Sequence, residues 1–442
     1  MVQSLGRTAW RTAVWLLPGL MAVLLCASRP AWSQTRFDFE RTPGNLPKTV
    51  VPVRYGLQLD LDPMLDTFRG RVAIEVEVRQ PVMSIVLHAR DLQSTAAVLH
   101  QGATVRPLQQ GIGPIGQSWS LTPQDAAVIA PGRYTVVLDY VGHVNATGNG
   151  LFHAVVAVDN AAGPGRQKAT HGNDATPVRM LATQLEAIDA RSVFPCFDEP
   201  AFRAVFELAV RAPPGLQVVS NMPERSGSPQ PDGAATLHRF EPTPPMPSYL
   251  LAVSAGRFDS LGGKAVGVPL RILTAPGKAL QATYAMQVTQ QVLPFYDDYF
   301  GVPFALPKLD QLAVPSTRTG AMEDWGLISY SEATVLFDPA RSSPATERRV
   351  FSVMAHEISH QWFGDLVTAA SWEEIWLNEA FATWMANKAT AHFNPQWHVE
   401  LDRRLPIDWS MERDAGPSTR PIRSGPVSEL AVFDVFDGIT YV

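Results

Sequence analysis

Residues 356–382 read HEISHQWFGDLVTAASWEEIWLNEAFA, and this stretch holds the clearest chemical pattern in the chain. His356 and His360 are an i,i+4 pair, so on a helix their imidazoles share one face and can reach one metal ion. Glu357 points about 100° away from His356 and is placed to contact a water molecule on that metal. The spacing therefore predicts a metal-binding helix that carries its own carboxylate base.

The ends of this helix are also marked in the sequence. Ser343 is a good N-cap residue, and Pro344 suits the first turn, where its missing N–H costs nothing. Apolar residues recur at every fourth position from Val350 to Trp362, and Gly364 is a natural stop. We therefore expect a helix that begins near Ser343 and ends before Gly364.

Glu379 is the candidate for a third metal ligand. A catalytic zinc site has three protein ligands and an open position for water. Glu379 lies on a second helical stretch, from Ser371 to about Phe393, with a capping box in Ser371 and Glu374. A start several residues later also fits that stretch. A lone helix carboxylate is usually solvated, but the apolar flanks of Glu379 favour burial, and a buried carboxylate needs a cationic partner.

These residues together predict a defined chemistry. One zinc ion per chain is held by His356, His360 and Glu379. Zinc lowers the pKa of its water and polarises the carbonyl under attack. Glu357 accepts the proton of that water and later donates it to the leaving amine.

The chain from Val51 to about Phe258 has the pattern of β-strands. Apolar and polar residues alternate over 55–62 and 72–79, the period of a strand with one buried face. Shorter runs of this kind are 84–88, 134–140, 205–210, 217–220 and 248–253. Turn-forming clusters separate the runs, which is typical of antiparallel sandwich sheets.

The pattern changes after Pro269. Residues 280–299 have helical periodicity, and the two helical stretches of the metal motif follow. Residues 410–427 are rich in Pro, Gly and Arg and indicate a loop. We therefore divide the mature chain into a β-sheet domain at 34–256 and a catalytic domain at 257–442.

The first 33 residues have the pattern of a signal peptide. Arg7 and Arg11 form a positive region, residues 13–27 are apolar, and the small residues at 31 and 33 suit cleavage after Ser33. The apolar run is short for a membrane span. We therefore expect export to the periplasm or the medium, with no stable membrane span after leader removal. An uncleaved anchor is the alternative.

Composition limits the function further. Of 442 residues, 46% are hydrophobic and 18% are charged, which excludes global disorder. The formal net charge is -6 and there is no basic block, so no nucleic-acid partner is expected. Cys196 is the single cysteine beyond the leader, which excludes an internal disulfide and a thiolate zinc site.

Four motifs resemble one known family. HEISHQWFGDLVT followed by WLNEAFATWM is similar to the gluzincin metallopeptidases, specifically the aminopeptidase N family. Residues 320–324 resemble its exopeptidase motif, residues 183–200 its N-terminal-domain signature, and residues 436–441 the segment of its catalytic tyrosine. The resemblance implies an α+β multidomain fold, with an N-terminal antiparallel β saddle or sandwich followed by an incomplete thermolysin-like catalytic domain.

The resemblance also implies roles for further residues, and a zinc aminopeptidase acting on peptides with a free N-terminus. Glu323 would anchor the α-ammonium of the substrate, with help from Glu186 and Gln184. Tyr441 would donate a hydrogen bond to the developing oxyanion. The motif residues Gly320, Ala321 and Met322 complete the substrate-binding set, with the backbone at the first two holding the peptide extended.

The chain departs from the family pattern at two positions, where Asp324 and Asp365 replace asparagine. It also stops at Val442, within a motif that continues in the family, so it is either a fragment or a truncated natural product. Three alternatives to an aminopeptidase stay open at this point: a gluzincin endopeptidase, an epoxide hydrolase, and a truncated peptide-binding relative without catalysis. The preferred N-terminal residue cannot be read from the sequence.

Overall fold

The computed structural model of the chain describes residues 37–156, 178–230, 233–317, 320–417, 419–423 and 431–441. Residues 42–442 belong to one compact unit. Residues 37–41 belong to a separate N-terminal unit, in which Phe39–Arg41 form a short 3-10 turn. The predicted leader at 1–33 lies outside the described residues, and the domain boundary at 256/257 stays a prediction.

Strands dominate the first part of the described chain. They are β1 Val50–Asp60, β2 Thr67–Val78, β3 Ile85–His88, β4 Gln93–Gln101, β5 Thr104–Ile112, β6 Ser118–Pro123, β7 Gly132–His143, β8 Gly150–Val156, β9 Val178–Gln184, β10 Val205–Ala212, β11 Gln217–Ser220, β12 Glu224–Pro229, β13 Thr236–Phe240, β14 Val253–Gly256, β15 Asp259–Ala265, β16 Val268–Thr274, β17 Leu309–Val314, β18 Ala321–Met322 and β19 Leu327–Ser331.

The largest sheet has the order β12-β13-β10-β1-β2-β7-β4-β5-β6-β3. The alternation that predicted its strands is the alternation of burial, since Tyr55, Leu57 and Leu59 point inward from β1. Tyr55 stacks on Phe206 of β10, with ring centroids 4.6 Å apart. The mostly β N-terminal region is therefore confirmed, although β1 and β10 run parallel within it.

Two smaller sheets are formed by strands that precede the metal motif in the sequence. Their strand orders are β11-β14-β9-β8 and β15-β16-β17-β19-β18. The strand predicted at 248–253 is wrong over most of its length, because Ser248–Leu250 form a 3-10 turn and β14 begins at Val253. The strands after Pro269 were not predicted. All six residues of β17 are buried between parallel neighbours, so no alternation marks them.

The helices follow and carry the metal motif. They are α1 Thr283–Phe300, α2 Glu332–Val335, α3 Pro344–His360, α4 Trp376–Phe393, α5 Val399–Asp402, α6 Arg404–Asp414 and α7 Gly438–Tyr441. Within the described residues, none of them has both the length and the apolar character that crossing a membrane requires.

One predicted helix end is confirmed and two are wrong. The Ser343 side chain accepts a hydrogen bond from the Thr346 N–H at 3.2 Å, so the cap of α3 is confirmed. The Ser371 capping box is wrong, because a 3-10 turn comes first and α4 begins at Trp376. The loop predicted from residue 410 is wrong as far as Asp414, because α6 continues to that residue. Pro406 does not break α6, since it lies in the first turn.

Candidate active site

The predicted metal ligands come together between α3 and α4. His356 Nε2 lies 3.0 Å from His360 Nε2 and 3.3 Å from Glu379 Oε2, and His360 Nε2 lies 3.7 Å from the same oxygen. Zinc bonds of about 2.0–2.2 Å in tetrahedral geometry put neighbouring ligand atoms about 3.3 Å apart. The three side chains therefore fit one zinc ion.

The outer contacts of the two histidines support this assignment. His360 Nδ1 lies 2.9 Å from the carbonyl oxygen of Phe363, and His356 Nδ1 lies 3.4 Å from the hydroxyl of Thr383. A carbonyl oxygen only accepts, so His360 donates from Nδ1 and keeps the lone pair of Nε2 free. Neighbours of this kind orient metal-binding imidazoles.

Three more carboxylates surround the ligands. Glu323 and Glu357 have ligand-capable atoms within 4.8 Å of each other and of His360, and Glu186 has the same relation to Glu323 and Glu379. Burial raises the pKa of Glu186, Glu323 and Glu357. Buried carboxylates this close together are stable only when they are protonated or paired with cations.

Two of these carboxylates have an oxygen with no partner. Oε1 of Glu186 and Oε1 of Glu323 are buried and accept no hydrogen bond within the described residues. A buried acceptor left without a donor is costly, and a charged one more so. The two oxygens therefore mark a place for a cationic or donor group beside the metal ligands.

Two strands bring these carboxylates to the site. Strand β9 ends at Gln184, two residues before Glu186, and the Gln184 amide lies 3.4 Å from the sulfur of Met322. Strand β18 pairs antiparallel with β19 and forms the edge of its sheet, and Glu323 follows it directly. The signature and exopeptidase motifs therefore meet, as the resemblance implied.

Tyr441 lies near His356, at the end of α7. Its ring is 25° from parallel with that of His356, with centroids 6.2 Å apart. Burial, followed by the charge of Glu379, raises the pKa of Tyr441 well above its usual range, so the phenol stays protonated. A cavity of about 340 Å³ opens beside Tyr441 and Thr383, with Trp384 and Trp397 in its wall.

The two departures from the family pattern are both buried. Asp324 Oδ1 and both carboxylate oxygens of Asp365 have no hydrogen-bond partner within the described residues, and Ser329 donates to Asp324 Oδ2 at 3.4 Å. Burial is the largest cause that raises the pKa of both groups, which favours the neutral acid. Asp324 therefore adds less negative charge beside Glu323 than the sequence alone implied.

The sequence did not indicate several residues that organise the site. Thr383 was within reach of sequence reasoning, since it lies one helical turn after Glu379 on a predicted helix. Gln361 and Asn221 carried no such signal. Both are buried amides, and both bind the loop that follows Glu323.

These features together define the class of protein as a metallopeptidase. They are the helix pair, the His-Glu-x-x-His spacing, a carboxylate as the third ligand, and further carboxylates beside it. Comparison with known proteins then assigns the family. Residues 51–250 match the Peptidase M1 N-terminal domain, and residues 284–442 match the Peptidase family M1 domain. The chain belongs to peptidase family M1.

Named relatives agree with this assignment. The chain is 39% identical over 359 residues to aminopeptidase N of Acetobacter pasteurianus, covering 80% of this chain and 95% of that protein. It is 35% identical over 446 residues to endoplasmic reticulum aminopeptidase 1 of Homo sapiens, covering 97% of this chain and 45% of the human protein. For aminopeptidase M1 of Arabidopsis thaliana the identity is 33% over 401 residues, covering 90% of this chain and 44% of the relative. The chain thus spans about half the length of its human and plant relatives.

Proposed function

We propose that this chain holds the active site of a zinc aminopeptidase that removes the N-terminal residue of peptides. The observation that carries the proposal is that Glu186 and Glu323, whose carboxylates lie near that of Glu379, each have a buried oxygen without a partner among the described residues. A substrate ammonium that pairs with both oxygens lies one residue from the scissile bond. An internal peptide segment offers no cation and leaves both carboxylates unpaired, which costs several kcal/mol.

His356, His360 and Glu379 would hold one zinc ion. A zinc ion held there supplies Lewis acidity, which acidifies a water molecule and polarises the carbonyl of the peptide bond. The hydrogen bond from His360 Nδ1 to Phe363 keeps the ring oriented with Nε2 toward His356 and Glu379.

Glu357 is the proposed general base and acid. It sits next to His356 in sequence, and its carboxylate lies near His360 and Glu323. Its burial raises its pKa, and a base exchanges protons best when its pKa approaches the working pH. Glu357 would therefore take a proton from the attacking water and return it to the leaving amine.

The remaining residues would position the peptide. Tyr441, kept protonated, can donate a hydrogen bond to the oxyanion that develops at the carbonyl. The strand of Ala321 and Met322, preceded by Gly320, pairs with one strand alone among the described residues, so an extended peptide could pair along its other side.

The test is turnover of a panel of aminoacyl fluorogenic substrates, with and without a chelator, together with metal analysis. We expect one zinc per chain, chelator-sensitive release of the first residue, and no cleavage of N-acetylated substrates. Equal rates on blocked and free peptides would instead indicate an endopeptidase. Zinc without turnover would indicate a peptide-binding relative.

We also propose that the protein is exported by way of residues 1–33. The support is the charge and apolar pattern around Arg7, Arg11 and Ser33. Expression of the full chain in a bacterial host, followed by fractionation and N-terminal sequencing, tests this. A mature N-terminus at Gln34 is expected, and an intact leader in the membrane fraction would favour the uncleaved anchor.

A further inference from the structure

The loop after β18 is held by side chains from other parts of the fold. We call residues 323–326, Glu323-Asp324-Trp325-Gly326, the anchor loop. The Asn221 amide donates to the Trp325 carbonyl at 3.0 Å, and the Lys308 ammonium donates to the Gly326 carbonyl at 2.8 Å. The backbone of the anchor loop is therefore bound to neighbours that lie outside its own strands.

Gln361 binds both ends of the anchor loop. Its Nε2 donates to the carbonyl oxygen of Glu323 at 2.8 Å, and its Oε1 accepts from the N–H of Gly326 at 2.9 Å. The side chain is only 1% exposed, so water does not compete for these bonds. Gln361 also follows His360 directly, at the end of α3. One amide thus connects the loop of the proposed ammonium anchor to the helix of the proposed zinc ligands.

The part of the anchor loop that follows Glu323 is fixed by contacts of its own. Gly326 has φ +79°, and a Cβ added there would lie 2.6 Å from the carbonyl oxygen of Asn221. The Trp325 side chain is 2% exposed, so it fixes the middle of the loop in the core. Gln361, by contrast, binds the carbonyl of Glu323 itself, immediately beside that residue's side chain.

We propose that Gln361 is a positioning residue: it fixes the Glu323 carboxylate relative to the zinc helix and so sets where the substrate ammonium lies. The inference rests on the proposed aminopeptidase function, in which Glu323 binds that ammonium. Gln361 touches neither the substrate nor the metal. Its effect appears in recognition of the amine, because a displaced carboxylate pairs poorly with an ammonium whose place is set by the carbonyl at the zinc.

The test compares two ligands that differ in the amine. Alanine hydroxamate carries an α-ammonium and a metal-binding group, whereas acetohydroxamate carries the metal-binding group alone. Binding of each to the full, zinc-loaded chain is measured by calorimetry, for the wild type and for Gln361→Met, which has similar volume and no hydrogen-bonding amide. We expect the Kd of alanine hydroxamate to rise about 10- to 100-fold and that of acetohydroxamate to change less than about twofold.

Activity provides a second readout. For Gln361→Met, the KM of aminoacyl substrates should rise by a similar factor, with a smaller change in kcat and the zinc content unchanged. Gln311→Met is the matched control, because Gln311 is also a buried amide with one donated and one accepted bond, to Thr289 and from Tyr330. It should lower Tm like Gln361→Met and leave the preference for the amine intact.

The binding results distinguish failure of the proposed aminopeptidase function from failure of the proposed role of Gln361. If the wild type binds both hydroxamates equally, the proposed aminopeptidase function fails, and the role of Gln361 fails with it. If the wild type prefers the amine and Gln361→Met keeps that preference, Gln361 is structural only and this inference alone is overturned. Should Gln361→Met not fold, Gln361→Asn keeps the amide but shortens its reach, and the same loss of preference is expected.

Discussion

Nδ1 of His360 lies 2.9 Å from the carbonyl oxygen of Phe363, and this contact determines which nitrogen of the ring is free. Because the carbonyl only accepts, Nδ1 carries the proton and Nε2 presents its lone pair to His356 Nε2, 3.0 Å away. Two lone pairs at that separation repel each other unless a proton or a metal ion lies between them. The separation is one that a shared metal ion would stabilise, and the first prediction tests for that ion.

Removing a ligand and removing the base should have different consequences. Glu379→Ala leaves two protein ligands, so zinc affinity should fall by more than about 100-fold, beyond the usual effect of changing an outer-contact residue. Glu357→Gln should keep the zinc and lose turnover, since the amide cannot take a proton. Metal analysis after dialysis against a weak chelator, alongside turnover, separates the two. Loss of zinc from Glu357→Gln would mean that Glu357 is a ligand and not the base.

Recognition of the free amine should depend on Glu323. In Glu323→Gln the ammonium loses a charge-assisted partner worth about 1.5–3 kcal/mol, so KM should rise about 10- to 100-fold. Zinc content should not change, because Glu323 is not among the proposed ligands. The matched control is Glu332→Gln, at the first residue of α2, whose carboxylate pairs with Lys278 and belongs to none of the candidate metal-binding groups. An unchanged KM in Glu323→Gln would remove this carboxylate from the amine site.

The sequence predicted which helical residues come together at the site better than it predicted the strands around them. The His356 and His360 spacing has one reading on a helix, and the apolar flanks of Glu379 favoured its burial. Both depend on local helical periodicity, which a single sequence records well. The role of Glu323, by contrast, was predicted from the family resemblance alone. The strand before it has only two residues, which is too short to show a periodic pattern.

The sequence did not predict the strands in which every residue is buried, because such strands show no alternation of polar and apolar residues. In β17 every residue is buried, so no alternation separates strand from helix. Gln361 looks like an ordinary polar residue at a helix end, and its two bonds join segments that are 35 to 38 positions apart. Such contacts arise from tertiary packing and leave no local trace.

Tyr441 should contribute to the chemical step and not to binding. In Tyr441→Phe the ring that lies against His356 is kept while the hydroxyl is lost, so kcat should fall about 10²- to 10³-fold, as for one oxyanion donor. KM and zinc content should stay close to the wild type. Tyr299→Phe, at a half-exposed tyrosine of α1, is the control. A kcat within threefold of the wild type would show that the phenol does not bind the oxyanion.

Stability should depend on pH through Lys308. This ammonium is buried, binds the carbonyls of Ser220 and Gly326, and lies 2.9 Å from the Asp310 carboxylate. Burial outweighs Asp310 and lowers the pKa of Lys308 from 10.5 to about 8. Between those two values the unfolded chain holds the proton and the folded chain does not, so this group adds to the free energy of unfolding as pH rises.

The comparison is therefore made with a variant that cannot titrate at this position. Urea unfolding of the wild type and of Lys308→Met is measured from pH 7.5 to 10, and their difference cancels the other groups that titrate in this range. We expect the wild type to gain unfolding free energy relative to Lys308→Met across that window. Lys264→Met, at an exposed lysine of β15, should run parallel to the wild type. A constant difference between the wild type and Lys308→Met would mean that the folded lysine keeps its proton, and that Asp310 compensates the cost of its burial.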